Sequence, residues 1–382
     1  MVRFDKSGKY LSLGDKAGRI IIFEAVEGKK KEEYDYFTEF QSHVKEFDAL
    51  RSMEIEEEIT GIEWLRPQGR YLKMVTTNNK NIKLWKIFDK VDKKVAKSAG
   101  RDLAMPRLQS VDQGFSAQLQ LAIPPRHLGD INSVSSSNNG EYLLSSDEAQ
   151  TFLWSLEKPN KPFMVGDMLG GEQLEEQKES ITCSKMHPTS DNVFLFGTNK
   201  GSLKLCDMRQ SAVCDGTALN FKNDMGGGQK NFLTEMISGY SSAIFSPNSK
   251  FVISRDCLTV KIWDICNAAK PINTIMVQET LKSKLCDMFE NDCMEDRFGV
   301  GASWDGKTIL TGNYNNGFHL LDEANTHYEL NFKKTTVSKP MTKSSPAPHK
   351  MDYLRKTMAV DYHPKKNLVA VASLNCFYTY AM

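Results

Sequence analysis

The sequence has no long apolar run and almost no net charge. None of its 382 residues lies in an uninterrupted stretch of 18 or more apolar residues, the length that indicates a membrane-spanning helix. The 49 Lys and Arg residues nearly balance the 48 Asp and Glu residues, so the formal charge is +1. A protein that mainly neutralises nucleic-acid phosphates needs a clear positive excess. The composition therefore predicts neither a membrane protein nor a nucleic-acid-binding one.

A secretory signal is also lacking, because residues 1–6 are followed by no apolar segment. The default expectation is a reducing compartment, in which the eight cysteines remain thiols. No two cysteines form a C-x₂₋₄-C pair, and none joins a histidine in zinc-ligand spacing. We therefore expect no metal site and no cofactor.

Catalytic motifs are missing as well. The glycines at 226–228, followed by Gln229 and Lys230, lack the spacing of a phosphate-binding loop. The sequence contains no G-x-S-x-G elbow and no H-E-x-x-H helix. His187 and His363 stand in His-Pro turns, where turn formation is sufficient reason for them. We expect a protein that is not an enzyme.

A repeated strand pattern fills the chain instead. Each copy has a short apolar strand, a turn, a second apolar strand, a polar turn, and alternating apolar residues that end near an aromatic residue. The seven copies lie near residues 2–23, 59–87, 131–156, 181–209, 240–265, 298–322 and 358–380. One three-stranded meander cannot bury both faces, whereas seven stacked around an axis can.

The ends of several copies are informative. Leu84-Trp85, Ile262-Trp263-Asp264 and Leu205-Cys206-Asp207 resemble the end of a WD repeat. The sequence therefore predicts an all-β, seven-bladed WD-repeat β-propeller that occupies residues 1–382 as a single domain. An unrelated stack of β-sandwiches is the alternative, and it accommodates seven equivalent copies poorly.

Insertions separate the copies, because 382 residues leave about 55 per copy and a plain WD repeat needs ~40–45. Residues 24–58 include a strand-like segment, and residues 88–127 form a basic, protruding insertion. Smaller insertions lie at 232–237 and at 277–298, the latter expected to be a helix or a long loop. Residues 333–350 are rich in Ser, Thr, Pro and Lys, which predicts a mobile loop.

The loops at the two ends of a propeller are natural interaction surfaces. Those at residues 15–16, 147–148, 290–292 and 295–296 carry carboxylates, which suggests an acidic platform that attracts basic partners. Ordinary solvated turns are the alternative for each loop taken alone.

One insertion carries a family resemblance. Residues 46–59, Glu-Phe-Asp-Ala-Leu-Arg-Ser-Met-Glu-Ile-Glu-Glu-Glu-Ile, closely resemble a signature of the B-type, WD-repeat regulatory subunit of protein phosphatase 2A. Residues 14–19, 40–43, 82–87, 205–209, 283–286 and 290–293 match the same family, and the likeness runs from residue 2 to about 375. The resemblance implies a non-catalytic subunit that docks on the HEAT-repeat scaffold subunit, beside the catalytic subunit.

The same resemblance implies that the chain recruits phosphorylated Ser/Thr proteins with basic segments, and thereby raises their effective concentration at the active site. The missing export signal predicts a cytoplasmic location, with the nucleus as a second compartment, and the composition predicts no nucleic-acid or membrane partner. The alternative is a generic WD-repeat scaffold of another complex.

Site residues also follow from the resemblance. One end of the ring and the hairpin between blades two and three would bind the scaffold, through residues 46–58 and 88–126. The contacts carried over are Glu46, Phe47, Asp48, Leu50, Arg51 and Arg126. The opposite end would be an acidic substrate groove, with Lys16, Asp147, Glu148, Glu290 and Asp292.

Departures from the family occur near this groove. The family usually has His-Thr-Tyr-His where this chain has residues 127–130, His-Leu-Gly-Asp, and Asp-Asp-Leu-Arg where it has residues 147–150, Asp-Glu-Ala-Gln. These differences bear on substrate choice and not on the fold. In addition, the seventh copy supplies three strands and no residue before Val2 offers a fourth, so we expect an exposed strand edge in blade seven, as in a truncated start.

Overall fold

The computed structural model describes residues 1–26, 28, 32–49, 52–67, 69, 71–95, 108–170, 179–214, 218–222, 236–314, 316–322, 327–331 and 352–381. Within these residues, the strands form seven antiparallel sheets and one separate two-stranded hairpin. The insertion at 333–350 lies outside the described residues. No helix among those described is long and apolar enough to cross a membrane.

The first three sheets each contain four strands in chain order. Blade one has β1 (Val2–Phe4), β2 (Tyr10–Gly14), β3 (Arg19–Ala25) and β4 (Tyr34–Gln41). The separate hairpin, β5 (Glu46–Asp48) and β6 (Met53–Ile55), follows. Blade two has β7 (Gly61–Trp64), β8 (Leu72–Thr77), β9 (Ile82–Val95) and β10 (Leu108–Ile123). Blade three has β11 (Ser133–Ser136), β12 (Tyr142–Ser146), β13 (Gln150–Ser155) and β14 (Phe163–Asp167).

The remaining blades repeat this order. Blade four has β15 (Ile181–Met186), β16 (Val193–Thr198), β17 (Ser202–Asp207) and β18 (Leu219–Lys222). Blade five has β19 (Ser242–Phe245), β20 (Phe251–Arg255), β21 (Thr259–Asp264) and β22 (Asn273–Met276). A 3₁₀ helix (Glu279–Ser283) and an α-helix (Leu285–Glu290) precede blade six, with β23 (Val300–Ala302), β24 (Thr308–Gly312), β25 (Gly317–Asp322) and β26 (His327–Asn331). Blade seven has β27 (Ala359–Tyr362), β28 (Leu368–Ser373) and β29 (Cys376–Ala381).

The sheets close into a ring through their first strands. Each first strand contacts the first strand of the next blade, from β1 to β27, and β27 contacts β1 again. The prediction of an all-β, seven-bladed propeller is therefore confirmed. The sequence pattern predicts three strands in each copy, but six blades carry a fourth, outer strand. Outer strands are half exposed, as in β22, so their apolar alternation is weak in the sequence.

Apolar side chains fill the space between neighbouring blades. Trp154 of blade three packs with Val75 and Leu84 of blade two, and Trp263 of blade five packs with Leu195 and Phe221 of blade four. Each of these tryptophans is completely buried. Removing such a side chain typically costs about 3–5 kcal/mol, so these clusters fix each blade against its neighbour.

Charged side chains occupy the interior of the ring. Arg3 of β1 lies 3.3 Å from Asp361 of β27, and Lys185 of β15 lies 3.1 Å from Glu63 of β7. Burial alone would raise the pKa of Glu63, but the positive charges of Lys185 and Arg3 hold it below its usual range. The second pair joins blade two to blade four across the ring.

Strands β9 and β10 extend beyond the body of blade two. β8 pairs with β9 only along residues 82–87, whereas β9 and β10 pair with each other as far as Val95 and Leu108. The far part of this hairpin is therefore a two-stranded ribbon that has no third strand beside it among the described residues. This ribbon lies in the insertion predicted at residues 88–127, of which residues 96–107 are outside the described part.

Blade seven differs from the other six. Among the described residues its sheet has three strands, and β29 forms its outer edge with mostly exposed or half-exposed residues. The predicted three-stranded blade with an open edge is confirmed for this part of the chain.

The expectation that all eight cysteines are thiols is wrong for two of them. Cys206, in β17, and Cys214 have Cα atoms 5.6 Å apart, and their sulfur atoms are bonded. The separation lies within the usual range for a disulfide. The chain between them turns back toward blade three, a return that the sequence pattern does not reveal. The other six cysteines are unpaired.

Candidate interaction surface

The two ends of the ring carry different parts of the sequence. Because neighbouring strands in a blade are antiparallel, the turn between the second and third strands leaves at the same end as the connection to the next blade. We call this the upper end; it includes turns at residues 15–18 and 147–149 and connections at 42–60 and 277–299. The turns between first and second strands and between third and fourth strands leave at the lower end, and so does the β9–β10 ribbon.

All five predicted groove residues emerge at the upper end. They lie in the β2–β3 turn, in the β12–β13 turn and in the connection from β22 to β23, and they are Lys16, Asp147, Glu148, Glu290 and Asp292. All except Asp147 are exposed.

The predicted scaffold segment at residues 46–58 also lies at the upper end. Glu58 Oε1 is 4.0 Å from Lys16 Nζ, and the amide of Ile59 donates to the carbonyl of Asp15. The expectation that this segment and the substrate groove lie at opposite ends is therefore wrong. The reason is topological, since a blade-to-blade connection cannot leave at the end where the first-to-second-strand turns lie.

The hairpin β5–β6 is held against blade two by Glu46. Its carboxylate accepts a hydrogen bond from Asn81 Nδ2 at 3.4 Å and lies 3.9 Å from Lys83 Nζ. The side chain of Phe47 is 65% exposed, although it is a large apolar residue, and Asp48 is half-buried. The hairpin therefore presents an aromatic ring to solvent from an anchored backbone.

Three further predicted scaffold residues have different outcomes. Leu50 and Arg51 lie outside the described residues. Arg126 is exposed in the connection that follows β10, and it too belongs to the upper end. Of the regions predicted to bind the scaffold, only the β9–β10 ribbon extends from the lower end in the described part of the chain.

Asp147 is not available to a partner. Its side chain is completely buried, with Oδ2 3.0 Å from His127 Nδ1 and Oδ1 accepting hydrogen bonds from the amides of Ala149 and Gln150. Its assignment as a groove contact is therefore wrong. A carboxylate in a turn is usually solvated, but this one turns inward to bind the amides of its own turn.

Asp147 belongs to a hydrogen-bonded chain. His127 Nε2 lies 2.7 Å from the Ser145 hydroxyl oxygen, which also accepts a hydrogen bond from the indole N–H of Trp154 at 2.7 Å. Burial by itself would raise the pKa of Asp147, but the bonds from His127 and from the turn amides keep that pKa below its usual range. This series of hydrogen bonds joins the β12–β13 turn to strands β12 and β13 themselves.

The bond between the tryptophan and the hydroxyl group corresponds to a regular sequence spacing, which the predictions above did not use. A Trp follows a Ser or Thr by nine positions in three blades, and in each the indole N–H donates to the hydroxyl. The pairs are Thr76 with Trp85, Ser145 with Trp154, and Ser254 with Trp263. In blade five the equivalent buried acid, Asp256, binds Lys261 and the hydroxyl of Thr259. The spacing arises because the tryptophan pairs across the hairpin with the residue two before the hydroxyl.

The β12–β13 turn therefore presents Glu148 in a fixed position. Its neighbours Asp147 and Ala149 are both buried, whereas Glu148 is exposed. The carbonyl of Glu148 accepts a hydrogen bond of 2.7 Å from the amide of Ile181, at the start of blade four. The backbone on both sides of the carboxylate is thus restrained.

The connection at residues 277–299 forms a second acidic element. Leu281, Met288 and Cys293 are buried beneath it, which anchors the short helix Leu285–Glu290. Glu290 and Asp292 follow on the exposed side. Asp292 has φ +52°, in the left-handed region that ends the helical turn.

Arg297 links this connection to the opposite side of the ring. Its Nη1 donates to Asn132 Oδ1 of blade three at 2.8 Å and reaches the carbonyl of Thr182 in blade four at 3.5 Å. Ile181, next to Thr182, is the residue whose amide binds Glu148. Arg297 and the Glu148 turn therefore contact adjacent residues at the start of blade four.

The chemistry available at the upper end is electrostatic. Within the described residues, no group of three or more His, Cys, Asp or Glu side chains is arranged to hold a metal ion. Lys80 Nζ lies 2.9 Å from Asp130 and donates to the carbonyl of Leu128. The positive charge of this buried lysine is therefore already paired. Exposed carboxylates on an anchored backbone favour a basic partner.

Known proteins resemble this chain along its whole length. A B-type regulatory subunit of protein phosphatase PP2A from Schizosaccharomyces pombe is 35% identical, with 100% of this chain and 92% of the relative covered. The serine/threonine-protein phosphatase 2A regulatory subunit phr2AB of Dictyostelium discoideum is 33% identical over 100% of this chain and 93% of its own length. The chain belongs to the family of B-type PP2A regulatory subunits.

A third relative and a solved structure agree with this membership and with the fold. The beta isoform of the 55 kDa B-type regulatory subunit of phosphatase 2A from Carassius auratus is 34% identical, covering 99% of this chain and 92% of the relative. The β-propeller domain of Cps50 (Swd1) from Myceliophteria thermophila superposes with a TM-score of 0.58 at 13% identity, covering 100% of this chain and 96% of that one, which supports the fold alone. No protein-family model matches the chain. As a B-family member, the chain has a regulatory and not a catalytic role.

Proposed function

We propose that this B-family protein binds the scaffold subunit of protein phosphatase 2A and recruits phosphorylated Ser/Thr proteins through the acidic upper end of its ring. The observation that carries the proposal is that the Glu148 turn and Arg297 of the 277–299 connection contact adjacent residues, Ile181 and Thr182, at the upper end of the ring. Several carboxylates then face one side of a rigid ring. A protein with a basic segment would be held there beside the catalytic subunit.

Scaffold binding is proposed for two elements. The β9–β10 ribbon extends from the lower end with two strands and offers a long surface away from the substrate residues. The hairpin β5–β6 offers exposed Phe47 at the upper end. Holding both elements would orient the upper end toward the catalytic subunit. The proposed location is the cytoplasm, with the nucleus as a second compartment.

Charge reversal at the upper end tests substrate recruitment. The variant Glu148→Lys combined with Asp292→Lys should raise the Kd for a basic phosphopeptide about tenfold, because two favourable contacts become repulsive. The measurement is fluorescence anisotropy with the purified protein at fixed ionic strength. Glu157→Lys reverses an exposed charge at the lower end of the same blade as Glu148 and is the matched control.

The outcomes of this test are distinct. Equal affinities of the double variant and the wild-type chain would rule out the upper end as the recruitment surface. Co-purification with the scaffold and catalytic subunits should be unchanged in the double variant. A chain that never co-purifies with them would instead support a generic WD-repeat scaffold of another complex.

A further inference from the structure

Cys206 and Cys214 lie at the junction of blades three and four. Cys206 ends the core part of β17 and is 3% exposed, whereas Cys214 is half-buried. The amide of Cys214 donates to the carbonyl of Val165 in β14 at 2.7 Å, and Cys214 forms a parallel bridge with Gly166. The pair therefore connects the third strand of one blade with the outer strand of its neighbour.

The surroundings suit thiols as well as a disulfide. Cys206 belongs to an apolar cluster with Val165, Phe194 and Phe196, against which Cys214 and Met208 pack. An uncharged thiol is at home among such side chains. Apolar packing and the backbone hydrogen bond from Cys214 to Val165 therefore hold this junction alongside the disulfide.

Four of the other cysteines can be compared with this pair in exposure and in the presence of a second cysteine nearby. Cys266, Cys286 and Cys376 are exposed, Cys257 is partly buried, and none of these has a cysteine partner among the described residues. Exposure alone would favour oxidation of the first three. Within that part of the chain, only the pair at the blade junction has a second sulfur ready to close a bond.

We propose that Cys206 and Cys214 form a reversible oxidation site for hydrogen peroxide. The more accessible Cys214 thiol is oxidised to a sulfenic acid, while the peroxide O–O bond breaks and one water is released. The Cys206 thiol then attacks the sulfenic sulfur, the S–S bond forms, and the hydroxyl leaves as a second water. Two thiols and one peroxide thus give one disulfide and two waters, and a thiol reductant reverses the change by exchange.

The disulfide would stabilise a series of backbone contacts that runs from Cys214 through β14 to the upper end of the ring. β14, which Cys214 contacts, continues into Met168, whose amide donates to the carbonyl of Ala149 in the Glu148 turn. The disulfide links two residues that are eight positions apart, which reduces the conformational freedom of the unfolded chain. Oxidation therefore favours the folded junction. The redox state of this pair would therefore set how firmly blades three and four are joined beneath that turn.

The experiment compares the full chain after dithiothreitol with the same chain after a small excess of hydrogen peroxide. Differential alkylation and peptide mapping should find Cys206 and Cys214 alkylated after reduction and cross-linked after peroxide. The melting temperature should rise by about 2–4 °C on oxidation. Cys214→Ser should remove both changes, and Cys266→Ser, at an exposed cysteine, should retain both.

Two results would overturn the proposal. Peroxide that oxidises Cys266 without producing the Cys206–Cys214 cross-link would show that the pair does not close. A cross-link that dithiothreitol cannot open in the folded chain would show a permanent structural disulfide. The mapping of the unsubstituted chain decides both questions even if a variant fails to fold.

Discussion

At the scale of single residues, burial separates two adjacent carboxylates with different roles. Asp147 is enclosed and receives hydrogen bonds from His127, Ala149 and Gln150, whereas Glu148 is exposed. The first carboxylate stabilises the turn, and the second is positioned by it. Neighbouring acids in a sequence are therefore not equivalent candidates for binding.

Replacing Asp147 with Asn should lower the free energy of unfolding by about 1–3 kcal/mol at pH 7, because charge-assisted hydrogen bonds are lost in a buried site. The folded-state pKa of Asp147 is depressed, so its contribution is present above the unfolded-state pKa and is lost as the pH falls through the folded-state value. The difference between variant and wild type should shrink below about pH 4.

Urea unfolding at several pH values measures this difference. Glu148→Gln is the matched control and should change stability by less than about 0.5 kcal/mol, as exposed positions usually do. An Asp147→Asn chain as stable as the wild type at pH 7 would contradict the structural role of the buried carboxylate.

At the scale of elements, the β9–β10 ribbon can be removed without cutting into blade two. The pairs from Ser116–Phe88 to Ile123–Ile82 belong to the base of the hairpin, and Phe115 packs on Phe37 of blade one with ring centroids 3.7 Å apart. Replacing residues 90–114 with Asn-Gly should therefore close a short hairpin and leave the ring intact.

We expect this shortened chain to lose co-purification with the scaffold subunit while its melting temperature stays within a few degrees of the wild type. Phe47→Ala, at the other proposed contact, should weaken scaffold binding without affecting a basic peptide. Undiminished assembly of the shortened chain would remove the ribbon from the interface. A Phe47→Ala chain that binds the scaffold normally but loses the peptide would assign β5–β6 to the substrate side.

The elements also indicate how far the sequence could predict this molecule. The first three strands of each blade were predictable because they are short, mostly buried segments bounded by turn residues, as in β20 and β21. Most outer strands were not, since their apolar residues are half exposed; β4 is the exception, because it coincides with the strand-like segment within residues 24–58. The inward turn of Asp147 depends on His127, twenty residues away, and the Cys206–Cys214 pair depends on a loop that returns to blade three. Such long-range contacts have no local periodicity to reveal them.

At the scale of the whole molecule, blade seven differs from the other six blades in its number of described strands. Its outer strand, β29, has an edge without a fourth strand among the described residues, whereas the other six blades have one. Open strand edges pair readily with other chains. The isolated chain should therefore form oligomers in a concentration-dependent manner.

Light scattering after size-exclusion chromatography measures this association. Thr379→Pro removes one backbone N–H from β29 and should keep the chain monomeric at concentrations at which the wild type associates. Thr274→Pro in β22, the complete outer strand of blade five, serves as the control and should not reduce association. Association unaffected by Thr379→Pro would mean that the edge of blade seven is not the point of contact.

The two ion pairs inside the ring also set the electrostatic character of its central channel. Lys185 and Glu63 lie 3.1 Å apart and join blades two and four, and Arg3 and Asp361 lie 3.3 Å apart and join blades one and seven. All four side chains line one cavity inside the ring. Because each of these positive charges stands beside a negative one, the wall of the channel is close to neutral there, and a charged partner is attracted by the exposed rim of the ring more than by its interior.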